Sequence, residues 1–97
     1  MGDLNEIRLH AIVSGRVQGV GYRYFALEHG LRLNLRGLVR NLASGQVEIV
    51  AEGSREELEE LLVALRQGPS GARVSNVQVS WTEPRGDLGP FAVGYSG

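Results

Sequence analysis

Cysteine is absent from this 97-residue chain, which removes disulfides, thiolate nucleophiles, iron–sulfur clusters and Cys-type zinc sites together. Lysine is absent as well, because all ten basic residues are Arg. The chain therefore has no Schiff-base lysine, no lysine general base and no P-loop lysine. No apolar run approaches the roughly 20 residues needed to span a bilayer. The opening Met1-Gly2-Asp3-Leu4-Asn5-Glu6 lacks the basic flank and apolar stretch of a signal peptide, and Glu6 stands where a myristoylation signal needs Ser or Thr. Neither sign of charge prevails. Ten basic side chains against eleven acidic ones leave a net charge of −1, so no global field draws the chain to nucleic acid or to an anionic membrane. The expectation is a cytoplasmic protein with neither nucleic-acid nor membrane partners.

What the chain has in excess is glycine, 14 of 97 residues, about twice the usual share of ~7%. The length predicts one domain over residues 1–97, since domains run to about 100–200 residues. Its small alternating core suits a monomer. Ile7, Leu9, Ala11 and Val13 alternate with Arg8, His10 and Ile12, the pattern of a strand with one buried face. Ser14–Gly21, with three glycines, reads as a loop. Tyr22, Phe25, Ala26 and Leu33 then recur at helical spacing over Tyr22 to Asn34, and Gly30 weakens that helix or ends it early.

Arg36–Ala43 and Gln46–Gly53 are predicted strands joined at a Ser44-Gly45 turn. Ser54 and Glu57 form a capping box ahead of the Leu58, Leu61, Leu62, Leu65 stripe, and Gly68-Pro69 stops that helix. Val77, Val79 and Trp81 mark a fourth strand, and Phe91, Val93 and Tyr95 a short fifth. The order β-α-β-β-α-β plus a terminal strand predicts an α+β, ferredoxin-like sandwich: an antiparallel sheet with two helices on one face.

The segment Gly15-Arg16-Val17-Gln18-Gly19-Val20-Gly21-Tyr22-Arg23 joins a strand to a helix N-terminus. Free N–H groups and the helix dipole there favour an anion, and glycines let successive N–H groups converge into a nest. An Arg in the first turn would add a planar, permanently charged fork matched to a phosphoryl group. The segment is neither a dinucleotide fingerprint nor a Walker A loop. From glycine spacing alone, a tight connection beside a surface Arg is as good a reading as an anion site. Asn41 lies late in the second strand, on the face with Gly37 and Val39, where a neutral amide must find hydrogen bonds. Taken by itself, a turn-forming Asn is the better account.

GRVQGVGYR over residues 15–23, followed by GLVRNLASGQVEIVAEG over 37–53, resembles the signature of the acylphosphatase family. The likeness continues through GPSGARVSNVQVSW to the closing FAVGY and covers nearly the whole chain. It implies hydrolysis of the carboxyl–phosphate bond of small acyl phosphates, with no cofactor and no metal. Carried over by position, Gly15, Arg16, Val17, Gln18, Gly19, Val20, Gly21 and Tyr22 would form the phosphate-binding loop. Arg23 would clamp the same oxygens, and Asn41 would orient the attacking water, which makes Arg23 and Asn41 the catalytic pair. Inorganic phosphate is then expected as both product and inhibitor. The chain departs from the family pattern at Tyr22, where Phe is usual, and at Ser44, where Asp is common.

Other residues invite plainer readings. His10 and His29 fit no metal-ligand spacing, and His10 falls on the open sheet face. Glu48 and Glu52 read as solvated carboxylates on that face. Glu56, Glu57, Glu59 and Glu60 complement a helix dipole. Trp81 and Phe91 are expected in the core or over a sheet edge. An RNA-binding module of the same order is disfavoured because the first and third strands carry no aromatics. A metal chaperone needs the missing cysteines. The remaining alternative is a non-catalytic phosphate- or effector-binding domain.

Overall fold

A computed structural model describes residues 6–95. In chain order the elements are β1 (Glu6–Arg16), α1 (Tyr22–Arg32), β2 (Arg36–Asn41), β3 (Val47–Ser54), α2 (Arg55–Gln67), β4 (Arg73–Thr82) and β5 (Ala92–Val93). The sheet order is β4-β1-β3-β2-β5. The first four strands pair antiparallel, as the alternation implies, whereas β5 runs parallel to β2. The sheet is therefore mixed, not wholly antiparallel. Strands β4 and β5 occupy opposite edges, so the chain must cross the sheet between them, and it arrives beside β2 in the parallel sense.

Register explains which face is core. Leu9 lies opposite Ala51, Ala11 opposite Ile49 and Val13 opposite Val47, and all six are buried. Both helices cover this face. Leu58, Leu61, Leu62 and Leu65 of α2 are buried against it, each contributing about 1.5–3 kcal/mol by leaving water. The α2 N-terminus is capped as expected, with the Glu57 N–H donating to Ser54 Oγ at 3.2 Å, but Glu57 reaches back to the Ser54 hydroxyl (3.0 Å) instead of the backbone.

Helix α1 differs from the periodicity reading. Its buried positions are Tyr22, Ala26 and Gly30, while Phe25 and Leu33 are only partly covered. Gly30 does not end the helix, which continues to Arg32, and its propensity cost has a packing return. A Cβ at Gly30 or at Gly37 of β2 would overlap the Phe91 ring, so the two glycines form the slot that buries this side chain. Phe91 precedes β5, and Tyr95 lies beyond it, exposed. Strand β1 also runs past its expected end. A bulge at Ser14/Gly15 lets it stay paired with β4 through Arg16, where Gly15 takes a φ of +123° close to the Arg73 carbonyl.

Candidate functional site

The end of β1, the start of α1 and the end of β2 meet at one edge of the helical layer. Asn41 lies opposite Val47 in the β2–β3 pair, and Val47 is a core residue. Its side chain is therefore directed to the helix-covered face, as counting by twos predicts. There it helps line a pocket of about 100 Å³ together with Val17, Gly19, Gly21, Tyr22, Arg23 and Tyr24. That is well below the roughly 300–1,000 Å³ of drug-sized ligand sites. It fits a small anion, not a nucleotide.

The lining is rich in donors. Gly21 is the N-cap of α1 with a φ of +80° and no side-chain cap. The first intrahelical bond runs from the Phe25 N–H to the Gly21 carbonyl at 3.0 Å, so the N–H groups of Gly21, Tyr22, Arg23 and Tyr24 have no acceptor within the helix. Gly19 supplies another left-handed turn, φ +75°, just ahead of them. No acidic residue occupies the first turn of α1, in contrast to Glu56 and Glu57 at the start of α2. The positive end of the α1 dipole is left for an external anion. The Arg23 guanidinium adds a full charge. Among the described residues it makes no ion pair, while Arg8, Arg36, Arg40 and Arg55 each reach a carboxylate.

Asn41 supplies the opposite kind of group. Its Oδ1 is buried and accepts no hydrogen bond from the described residues. An unmet acceptor costs about 1–3 kcal/mol when left dry. Asn41 lines the same hollow as the residues that carry the donors.

Gln18, Gly15, Arg16 and Val20 do not line this pocket. The Gln18 side chain serves it from behind. Its Nε2 donates to the Leu42 carbonyl and to the Gln46 carbonyl, both at 2.8 Å. Gln46 Nε2 in turn donates to Ser14 Oγ at 2.8 Å. The β1–α1 loop is thus tied to the hairpin that follows Asn41, fixing the distance between donors and amide. Val20 packs on the core, and Arg16 is exposed at the end of β1. The sequence reading missed two things. One is this use of the Gln18 side chain, which a polar residue between Val17 and Gly19 does not reveal. The other is Tyr24 as a lining residue.

The family model described as Acylphosphatase matches residues 9–93, which include every residue that lines the pocket. The chain belongs to the acylphosphatase family. It is 52% identical to an acylphosphatase of Anaeromyxobacter sp. over 89% of this chain and 92% of that one. It is 56% identical to an acylphosphatase of Thermus thermophilus over 81% and 90% respectively. The crystal structure of an acylphosphatase from Bacillus subtilis superposes with a TM-score of 0.88 at 34% identity, covering 92% of this chain and 99% of that chain.

Both departures from the acylphosphatase pattern find a structural use. The Tyr22 hydroxyl, in a residue only 1% exposed, donates to the Leu65 carbonyl at 2.6 Å. Leu65 lies in the last turn of α2, where carbonyls lack helical partners, so the first residue of α1 caps the end of α2. Burial pushes the Tyr22 phenol well above its ordinary pKa. Ser44 sits in a three-residue hairpin loop. Leu42 N–H donates to the Gln46 carbonyl, Gly45 N–H donates to the Leu42 carbonyl, and Gly45 takes a φ of +94°, a geometry suited to a turn followed by a positive-φ residue. The Ser44 hydroxyl accepts from the Gln46 N–H at 3.3 Å, as an Asp carboxylate there would.

On the open sheet face the solvated reading fails for Glu52. It is fully buried, paired with Arg8 at 2.5 Å and held by the N–H groups of Arg85 and Gly86 at 2.8 and 3.1 Å. The segment between β4 and β5 covers it on its way across the sheet. Burial alone would raise its pKa, but the Arg85 N–H, the Arg8 guanidinium and the Gly86 N–H together hold it below the usual carboxylate range. Glu48 is likewise held between His10 (2.7 Å) and Arg40 (2.6 Å). Trp81, at the sheet edge, is covered by the Arg55 guanidinium at 3.9 Å from the ring centroid. Among the described residues no three His, Asp or Glu side chains come together as a metal-binding group, and no helix is long and apolar enough to cross a membrane.

Proposed function

We propose that the chain hydrolyses small acyl phosphates to a carboxylate and inorganic phosphate, with Arg23 and the loop N–H groups holding the phosphoryl group and Asn41 holding the water. Three permanent features carry the charge. The phosphoryl oxygens accept from the N–H groups at Gly19 and at the start of α1, and from the Arg23 fork. As negative charge spreads over those oxygens in the transition state, the donors are already in place and need no reorganisation.

The single observation behind the hydrolytic reading is the buried Oδ1 of Asn41, which has no donor among the described residues although its residue lines the same pocket as Arg23. A water that donates one hydrogen to this oxygen is fixed with a lone pair free for phosphorus. The new P–O bond forms as the bond to the acyl oxygen breaks. The carboxylate leaves with the bonding pair, and one proton of the water passes to a phosphoryl oxygen. A carboxylate is a good enough leaving group to need no general acid. Free phosphate engages the same donors and should therefore inhibit.

Phosphate release from acetyl phosphate, measured with chelator present, tests the assignment. Arg23→Ala and Asn41→Ala should each lower turnover by about 10²- to 10³-fold, the cost of losing one preorganised transition-state contact. Arg23→Ala should also weaken inhibition by phosphate, whereas Asn41→Ala should largely preserve it. Phosphate binding without any turnover by the unmodified chain would replace the enzyme with an anion-binding domain.

A further inference from the structure

Gly21 and Tyr24 each line two hollows. One is the small pocket with Arg23 and Asn41. The other is an open groove of about 490 Å³ along the outer side of α1, lined by Gly21, Tyr24, Phe25, Leu27, Glu28 and Leu31. Tyr24 and Leu31, 67% and 50% exposed, are large apolar side chains left facing solvent. They stand two turns apart on one helix face, about 10 Å along the axis. Of the six lining residues only Glu28, between them, is charged. At the junction Gly21 presents no side chain, and a Cβ placed there would meet no other group within 4 Å. Gly21 therefore places no side chain between pocket and groove.

We propose that this groove is the acyl subsite and that it favours neutral, apolar acyl groups, aromatic ones foremost, over acyl groups bearing a second anion. The inference rests on the acyl phosphate reading given above. With the phosphoryl group held by Arg23 and the helix N–H groups, the acyl end must leave the pocket over its rim, and Gly21 and Tyr24 form part of that rim. Tyr24 offers a rigid aromatic face with little entropy to lose. Glu28, four residues on, repels a second carboxylate carried along the same path. Tyr24 and Glu28 are specificity-determining residues in this account and take no part in bond making.

The test compares kcat/KM for acetyl, benzoyl and succinyl phosphate in the full chain and in Tyr24→Ser, Tyr24→Phe and Glu28→Gln. Ratios taken within one variant cancel any loss of folded enzyme. The benzoyl-to-acetyl ratio should fall by about 2- to 10-fold in Tyr24→Ser and be retained in Tyr24→Phe. The succinyl-to-acetyl ratio should rise by about 2- to 5-fold in Glu28→Gln. If acetyl phosphate is hydrolysed but the benzoyl-to-acetyl ratio is the same with and without the Tyr24 ring, the subsite is wrong and the activity stands. If none of the three releases phosphate, the activity is wrong and the subsite goes with it.

Discussion

The bond from the Tyr22 hydroxyl to the Leu65 carbonyl gives a prediction that the lysine-free composition makes unusually clean. Tyr22→Phe keeps the ring and removes one oxygen. At neutral pH it should lower stability by about 1–2 kcal/mol, because a buried carbonyl in the last turn of α2 loses its donor and can gain no water in exchange. For a chain of this size that is a fall in Tm of about 4–16 °C.

The alkaline limb then separates this account from simple loss of packing. Burial raises the Tyr22 phenol pKa in the folded chain, whereas the unfolded chain ionises near the ordinary value of about 10. Between those two values the unfolded state binds fewer protons than the folded state, so stability falls as pH rises. The slope approaches about 1.4 kcal/mol per pH unit, and about 1.4 kcal/mol should be gone by pH 11. There is no Lys to add a titration in that range, and the other two tyrosines, Tyr24 and Tyr95, are exposed in the fold. Tyr22→Phe should lack the slope. Thermal unfolding followed by circular dichroism at pH 8, 9, 10 and 11 should show the two proteins well apart at pH 8 and converging by pH 11. Parallel lines across that range, or a Phe variant as stable as the parent at pH 8, would refute the capping role.

Glu52→Gln should cost about 3–5 kcal/mol at pH 7, because Arg8 is left without its buried partner, as urea denaturation would read. The folded-state pKa of Glu52 is lowered, so its contribution is present above the unfolded carboxylate pKa and is lost as pH falls through the folded value; the Gln variant should show a shallower acid limb. Gly30→Ala gains about 1 kcal/mol of helix propensity but drives a methyl into the Phe91 ring, and overpacking costs about 1–3 kcal/mol, so the calorimetric Tm should fall or at best stay level. Gln18→Leu removes the two bonds that Gln18 makes to the hairpin; kcat/KM for acetyl phosphate should drop by about 10- to 100-fold through misplacement of donors against Asn41, with the far-ultraviolet spectrum of the folded chain retained.

The fold was legible wherever one face of an element is buried and the other is wet. The period-two alternation of β1 and the Leu stripe of α2 each report a single interface, so position and face could be read together. Helix α1 was harder because its buried row is Tyr22, Ala26 and Gly30, and a glycine at the centre of a row looks like a defect until Phe91 is brought 61 residues along the chain to fill the space. The parallel pairing of β5 was hidden for a related reason. A two-residue strand carries too little pattern to report its direction, which is set by the crossing segment that Glu52 anchors. Glu52 itself resembles Glu48 in the sequence. Only the loop laid over it separates a fully buried carboxylate from a partly covered one.

The site was legible in its parts and not in its joints. Glycine at 19 and 21 ahead of a helix, Arg in the first turn, and an amide on the covered face of β2 are local statements, and each has an ordinary structural explanation when taken singly. What distinguishes a site is that donors and acceptor confront each other across a space that the protein does not fill itself. Among the described residues, the first N–H groups of α1 and the Arg23 guanidinium lack protein acceptors, the Asn41 oxygen lacks a protein donor, and the residues that carry them line one small pocket. The chain holds them apart by design of its backbone. Gln18 spends both amide hydrogens on the hairpin carbonyls, which keeps the loop from collapsing onto Asn41. An anion alone would satisfy the donors and leave the Asn41 oxygen without one. A water alone would satisfy the oxygen and leave the arginine bare. An anion with a water beside it satisfies both sides, and that pair is the reactant state of a phosphoryl hydrolysis.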